Sequence, residues 1–214
     1  MFDIAFAAWG TEVTWLEALA FSLALSCVVL NVFEVHWGWP LAIVSAALYG
    51  VLFHASRLYA EAWLQAFFIA ASAWGWWQWL FAARTGDGGA AAPLAVARLQ
   101  RRHLAWLAGL WLAGWLALGA LLSRMTDSDV PWLDAFPTVG SLIGQVLLGR
   151  KFLENWWVWI VVNAVSVALL SVKGLWLSAL LYLVFFGLSV AGLRQWRRRC
   201  GAVRPADGTP GTQA

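Results

Sequence analysis

The segment that decides the fold is residues 155–172, which read NWWVWIVVNAVSVALLSV and carry no charged side chain over 18 positions. About 20 consecutive apolar residues are enough to cross the hydrocarbon core of a bilayer as a helix. The whole chain has the same character, because 62% of its 214 residues are hydrophobic and 12% are charged, whereas soluble domains carry roughly 25% charged residues. A water-soluble globule is therefore excluded.

Uncharged runs like this one recur on both sides of residues 155–172 and predict seven transmembrane spans. The predicted spans are residues 14–33, 38–55, 62–82, 104–123, 135–149, 155–172 and 174–193. None alternates between polar and apolar residues as the strands of a membrane β-barrel do, so each span is expected to be a helix. We therefore predict one transmembrane domain over residues 1–201. Residues 202–214, rich in Gly, Pro and Thr, are expected to form a disordered cytoplasmic tail.

The positive charges of the chain lie mainly on one side of the predicted membrane. Most Lys and Arg residues fall in the loops after the third and fifth spans and in the C-terminal segment, whereas the loop at 124–134 on the opposite side contains three aspartates. The positive-inside rule then places the N-terminus in the periplasm and the C-terminus in the cytoplasm.

The two ends of the chain contain a weak internal repeat. Residues 36–39 align with residues 156–159 and, after a three-residue deletion, the G-x-x-Q-W motif that ends at Trp79 aligns with the one that ends at Trp196. Because four crossings separate equivalent spans, both halves have the same orientation in the membrane.

This repeat predicts an all-α membrane protein with seven transmembrane helices arranged as 3+1+3, a parallel internal repeat like that of the SWEET sugar transporters. Repeat one covers about residues 14–82 and repeat two about residues 135–193. A linker helix at about 104–123 joins them.

Candidate site residues are the neutral polar and aromatic groups at depth, because the charged side chains lie near the predicted span ends. Trp156, Trp159 and Asn163 are spaced i, i+3, i+7, which places them on one helical face. Two indoles and an amide suit a ligand with a flat ring and hydroxyl groups. The further candidates are Gln65, Trp74, Gln145, Tyr182 and Tyr49, with Gln65 and Trp74 expected to share a face of the third span. Such amides also serve as interhelical hydrogen-bonding groups, which is the alternative role.

The sequence lacks the residues that other classes of function require. The sequence has no catalytic set and no motif for a metal or a cofactor, so neither is predicted, and an enzyme is not expected. Its basic residues form short clusters beside apolar segments, which argues against nucleic-acid binding. Six other tryptophans near span ends are expected to anchor the helices at the membrane interfaces. They are Trp37, Trp39, Trp76, Trp79, Trp132 and Trp196.

Several motifs in order resemble the PnuC family of vitamin-precursor transporters. They are WGWPLAI at 37–43, LYAEAWLQ at 58–65, WGWWQW at 74–79, LENWWVWIVVN at 153–163 and KGLW at 173–176. The resemblance covers about residues 15–198. It implies uptake of nicotinamide riboside through the bacterial inner membrane by facilitated diffusion, with a cytoplasmic kinase trapping the substrate by phosphorylation, and it implies a homotrimer embedded in the lipid bilayer.

The resemblance also assigns roles within the candidate site. It implies that Trp156, Trp159 and Asn163 bind the pyridine and the ribose, with Gln65 as a further contact. Phe68 departs from the family, since many relatives carry tyrosine there. Relatives of the same fold carry thiamine, riboflavin or deoxynucleosides, so thiamine or another vitamin or nucleoside is the alternative substrate. A membrane enzyme and a structural membrane subunit are the alternatives of a different class.

Overall fold

The structure, a computed structural model, describes residues 4–8, 11–55, 59–85, 91–125, 130–172 and 176–202. Seven α-helices occupy most of these residues, and each corresponds to one predicted span. They are α1 (Trp15–Val32), α2 (Gly38–Ala55), α3 (Tyr59–Phe81), α4 (Arg101–Met125), α5 (Pro131–Gly149), α6 (Asn155–Val172) and α7 (Trp176–Ala202). The prediction that each span forms an α-helix is thus confirmed.

Two short β-hairpins, which the sequence did not predict, lie outside the helices. One pairs β1 (Ile4–Ala8) with β2 (Thr11–Thr14), directly before α1, and the other pairs β3 (Ala83–Thr85) with β4 (Ala91–Pro93), after α3. Both pairs are antiparallel. They are too short to show as an alternating pattern in an Ala-rich sequence.

Five helices are long and apolar enough to cross a membrane on their own: α1, α2, α4, α6 and the Ser178–Cys200 part of α7. The other two, α3 and α5, are not in this set. Helix α7 continues to Ala202, beyond the predicted end of the span at 193, so the arginines at 194–199 lie on its last turns. The tail predicted at 202–214 lies, apart from Ala202, outside the described residues.

The helices pack as two sequential groups of three. Helices α1, α2 and α3 pack in series and form the first triad; α5, α6 and α7 do the same and form the second triad. Helix α4 packs against α5, and among its described residues only Gly119 is buried. The triads meet where α3 contacts α5 and where α1 contacts α7.

Four tryptophans form the centre of the structure where the triads meet. The rings of Trp39 and Trp79 pack edge to face at 5.4 Å, and those of Trp156 and Trp196 do so at 5.5 Å. Trp39 and Trp196 are 0% exposed. The prediction that these two anchor the helices at the membrane interface is therefore wrong. Proximity to a span end cannot distinguish an indole at the membrane surface from one buried against a neighbouring helix.

Each triad has a glycine that admits its central indole. A Cβ atom on Gly75 would collide with the Trp39 ring, and one on Gly192 would collide with the Trp156 ring. One constant sequence offset relates Trp39 to Trp156, Gly75 to Gly192 and Trp79 to Trp196. The counterpart of Trp156 is therefore Trp39, and the three-residue deletion in the sequence alignment is not needed.

The turns that lead into α2 and α6 are also alike. Glu34 after α1 and Lys151 after α5 both adopt left-handed backbone conformations, with φ of 59° and 52°, a region that residues other than glycine seldom occupy. Their side chains pair across the triads, with Lys151 Nζ 3.3 Å from Glu34 Oε2, and Arg199 Nη1 lies 2.9 Å from Glu34 Oε1.

Candidate functional site

A cavity of about 300 Å³ lies between the two triads. Every helix of both triads contributes to its wall. Seven of the eight predicted site residues line it, and they are Tyr49, Gln65, Gln145, Trp156, Trp159, Asn163 and Tyr182. The structure thus brings together polar and aromatic groups from α2, α3, α5, α6 and α7 that are far apart in the sequence.

Helix α6 supplies the aromatic wall. Trp156 is 2% exposed, and its ring rests on Gly192. The Trp159 ring lies against Gly144 of α5, where a Cβ atom would stand 3.0 Å from its Cε2 atom. The glycines thus fix two indole rings on one face of α6, a geometry that can hold a flat ring.

Two interhelical hydrogen bonds orient the amides of the cavity. Asn163 Nδ2 donates to Ser189 Oγ at 3.1 Å, and Ser189 Oγ donates to the Phe185 carbonyl at 2.8 Å. Gln145 Nε2 donates to Ser72 Oγ at 3.2 Å. In both amides a serine engages the nitrogen, which leaves the carbonyl oxygen as the group that can accept a hydrogen bond.

The predicted site residue Trp74 lies outside this cavity. Its ring packs against Gly149, and the Arg150 guanidinium lies over it at 6.0 Å. The expectation that it shares a face with Gln65 is wrong on geometry, because nine residues make two and a half helical turns and so reach opposite sides of α3.

The cavity also contains residues that the sequence reasoning missed. Trp39 and Asn31 line it from the first triad, and Ser72 and Ser189 line it from α3 and α7. The two serines could have been found from the repeated motif, since each stands three residues before the glycine of a G-x-x-Q-W motif. Phe68, the departure from the family pattern, lines the cavity as well.

The electrostatic character of the cavity is neutral. No charged side chain is among the described residues that line it, and no group of three His, Cys, Asp or Glu residues that could hold a metal ion occurs in the described part of the chain. The arrangement can stack a ring and offer hydrogen bonds. In the residues described, it presents no carboxylate or imidazole for proton transfer.

Comparison with known proteins places this arrangement in a family. The family model described as nicotinamide mononucleotide transporter matches residues 14–198. The chain is 25% identical to the nicotinamide riboside transporter PnuC of Escherichia coli (strain K12), over 90% of this chain and 89% of that protein. It is 27% identical to the riboflavin/roseoflavin transporter RibM of Streptomyces davaonensis, again over 90% and 89% of the two chains.

A solved structure has the same fold. The crystal structure of the vitamin B3 transporter PnuC matches with a TM-score of 0.70 and 23% identity, over 89% of this chain and 83% of that one. The relatives are transporters rather than enzymes, and the helices described above are those of a multi-pass membrane protein. The family resemblance identified in the sequence is confirmed, and the chain belongs to the nicotinamide mononucleotide transporter family.

Proposed function

We propose that the protein carries nicotinamide riboside across the bacterial inner membrane, and that the cavity between the triads is its binding site. The observation that carries this proposal is a neutral cavity lined by indoles and oriented amides in a member of this family. Nicotinamide riboside has a flat pyridinium ring and a ribose with several hydroxyl groups. Indole rings stack on the ring and attract its positive charge, and the amides bind the hydroxyls.

Trp156, Trp159 and Asn163 are the central contacts in this proposal, with Gln65, Gln145, Tyr49 and Tyr182 completing the wall. Trp74 has no place in it, because its ring packs against Gly149.

The transport mechanism that we propose is facilitated diffusion. Coupled transporters generally place titratable or anionic groups at depth, and the described lining of this cavity contains only neutral side chains. A cytoplasmic kinase would then trap the substrate, because a phosphorylated nucleoside carries negative charge that a neutral, partly apolar cavity does not compensate.

The 3+1+3 arrangement with a parallel repeat is part of the proposal. Its support is that corresponding residues make reciprocal contacts between the triads. Trp79 Nε1 donates to the Leu148 carbonyl at 3.1 Å, and Trp196 Nε1 donates to the Asn31 carbonyl at 3.1 Å. Two rigid halves related in this way can rock about the cavity and expose it to each side in turn, with α4 as the linker.

We propose the orientation from the charge distribution, with the N-terminus in the periplasm and the C-terminus in the cytoplasm. The exposed arginines at the end of α7 then lie on the cytoplasmic side, where the positive-inside rule places them. The homotrimer is proposed from the family resemblance, and the exposed apolar face of α4 is a surface for neighbouring copies or lipid.

Uptake of labelled nicotinamide riboside into proteoliposomes tests the function. The native protein should equilibrate the substrate at a rate that pH and sodium gradients leave unchanged. Asn163→Ala should slow uptake at least tenfold, since it removes an oriented amide from the cavity. Accumulation above the external concentration in the absence of a kinase would contradict facilitated diffusion, and native uptake rates in Asn163→Ala would contradict the site.

Riboflavin is the second candidate substrate, favoured by the match to RibM. Its three fused rings need more room than one pyridinium ring, and about 300 Å³ is at the lower end of the range for ligand pockets. Thermal-shift measurements on the purified protein with nicotinamide riboside, riboflavin and thiamine separate the candidates. The proposal expects the largest shift with nicotinamide riboside.

A further inference from the structure

The outer surface of the second triad carries three arginines at one end of the membrane domain. Arg194, Arg197 and Arg198 lie on the last turns of α7 and are all exposed, whereas Leu193 and Trp196 between them are buried. Their i, i+3, i+4 spacing puts the three guanidinium groups on one side of the helix. Within the described part of the chain, no carboxylate pairs with any of them. These three residues, called the arginine face below, therefore form a patch of uncompensated positive charge.

An exposed indole borders the arginine face. Trp157, in the first turn of α6, is 49% exposed, and the Arg197 guanidinium carbon lies 5.3 Å from the centroid of its ring. A guanidinium over an indole at this distance is held by cation–π attraction. The arginine face and Trp157 thus form one continuous surface across α6 and α7.

The first triad shows that the fold does not require these charges. At the offset that relates the two triads, the three arginines correspond to Trp77, Leu80 and Phe81 of α3, which are 54%, 45% and 70% exposed. The same helical positions face outward in both triads, but they are apolar in the first and basic in the second. Contacts within a triad therefore do not account for the arginines, and their role lies in what this outer surface meets.

The depth of the arginine face places it at the boundary of the bilayer. Arg194 stands eighteen residues after Trp176, where α7 begins, which corresponds to about 27 Å along the helix axis. The hydrocarbon core of a bilayer is about 30 Å thick. Arginine side chains at this depth extend toward the lipid headgroups, and indoles are enriched at the same level. The surface therefore meets lipid headgroups rather than bulk solvent.

We propose that the arginine face and Trp157 form a binding site for the headgroup of an anionic phospholipid, in the leaflet where α6 begins and α7 ends. Guanidinium groups donate paired N–H groups to phosphate oxygens, and the net negative charge of the lipid compensates the arginine face. Basic clusters directly beside a transmembrane helix bind anionic lipids in this way. The site belongs to the second triad alone, and it is independent of the substrate that the cavity carries.

Native mass spectrometry of the detergent-purified protein tests the site with two lipids, phosphatidylglycerol and phosphatidylcholine. Both can carry the same acyl chains and both contain a phosphate, but only phosphatidylglycerol has a net negative charge. The native protein should bind phosphatidylglycerol about tenfold more tightly or better. A double variant, Arg194→Gln with Arg197→Gln, should reduce this preference to about threefold or less, because it removes two of the three charges.

A second double variant, Arg101→Gln with Arg102→Gln, is the matched control. It removes two exposed positive charges from the start of α4, which lies at the same end of the domain because the preceding Ala97 pairs with Phe152 ahead of α6. The control should keep the native preference for phosphatidylglycerol. Equal losses in the two double variants would overturn the site and leave only a general attraction between basic residues and anionic lipid.

Two measurements on the native protein decide the proposal even where a variant fails to fold. Equal affinity for the two lipids would overturn it, and a tenfold preference for phosphatidylglycerol would support it. Inorganic phosphate in tenfold excess should leave the bound phosphatidylglycerol in place. If phosphate displaces the lipid, the arginine face is a site for soluble anions and the assignment to a lipid is wrong.

Discussion

The two triads use the same positions to hold their helices together, and they differ in several of the residues that face the cavity. Trp39, Gly75 and Trp79 in the first triad repeat as Trp156, Gly192 and Trp196 in the second, with ring distances of 5.4 and 5.5 Å. Serines repeat as well, at 72 and 189, and each binds an amide that lines the cavity. These repeated residues build the scaffold.

Apart from Trp39 and Trp156, the cavity-facing positions of α2 and α6 do not repeat. At the offset that relates the scaffold residues, Trp159 and Asn163 of α6 correspond to Ala42 and Ala46 of α2, and all four line the cavity. The first triad thus leaves room where the second supplies an indole and an amide. A ligand bound in the cavity would therefore contact two different walls, so the cavity is asymmetric although the scaffold around it is symmetric.

The largest expected effect comes from the repeated glycines. Gly75→Ala and Gly192→Ala each place a methyl group inside the ring of the central indole of their triad, and overpacking of this kind costs about 1–3 kcal/mol, in rigid sites more. Both variants should unfold at clearly lower temperature in a detergent thermal-stability assay. Gly187→Ala on α7, where nothing lies within 4 Å, is the control and should match the native protein. If only one of the two glycine variants loses stability, the triads are not equivalent in their packing.

The second prediction removes the difference between the cavity walls. Ala42→Trp gives α2 the indole that α6 carries at the corresponding position, which fills the cavity rather than the core of a triad. Affinity for nicotinamide riboside should fall at least tenfold in calorimetry. Val44→Trp is the matched control, because Val44 is exposed on the outside of α2, and it should bind normally. Native affinity in Ala42→Trp would show that the ligand does not occupy the space beside Ala42.

The third prediction concerns Glu34 and Lys151, which hold corresponding positions with opposite charges. Both are largely buried, at 11% and 12% side-chain exposure, whereas Arg199 is 46% exposed. Hydrogen bonds between charged, largely buried groups contribute about 1.5–3 kcal/mol, and exposed pairs contribute less. Lys151→Met should therefore lower the unfolding temperature more than Arg199→Met does. The reverse order would show that the pairing between triads is not the stabilising contact.

The smallest effect is expected from the reciprocal indole hydrogen bonds. Trp79→Phe and Trp196→Phe each remove one N–H that donates to a backbone carbonyl of the other triad, which costs about 1 kcal/mol in net stability. The two variants should lower the unfolding temperature by similar small amounts. A large loss in only one of them would mean that the two contacts between triads are unequal.

The helices could be predicted from the sequence because charge-free runs of membrane-spanning length leave few alternatives. Most of the cavity could be predicted too, since amides and phenols within such runs are rare. Trp74 does not lie in the cavity as predicted, because a separation of nine residues places it on the opposite side of α3 from Gln65. Trp39 and Trp196 were misassigned because whether an indole is buried depends on a glycine of another helix, Gly75 for Trp39, and that pairing becomes visible only when the triads are assembled.

The parts that could not be predicted depend on contacts between distant segments. In the sequence, Asn31 is one more amide at the end of an apolar run. That its side-chain oxygen is buried without a partner becomes apparent only in the folded chain, where it lies against Gly38. The β-hairpins likewise lack a sequence signal, because their strands have three to five residues.

A structure of the protein determined with nicotinamide riboside tests the central claim most directly. The account predicts the ligand between the triads, with its ring against Trp156 and Trp159 and its bulk in the space left by Ala42 and Ala46. A second, more open groove lies between α2 and α3 beside Gly50, Ala62 and Ile69. Ligand bound in that groove, or absent from the cavity at saturating concentration, would contradict the account.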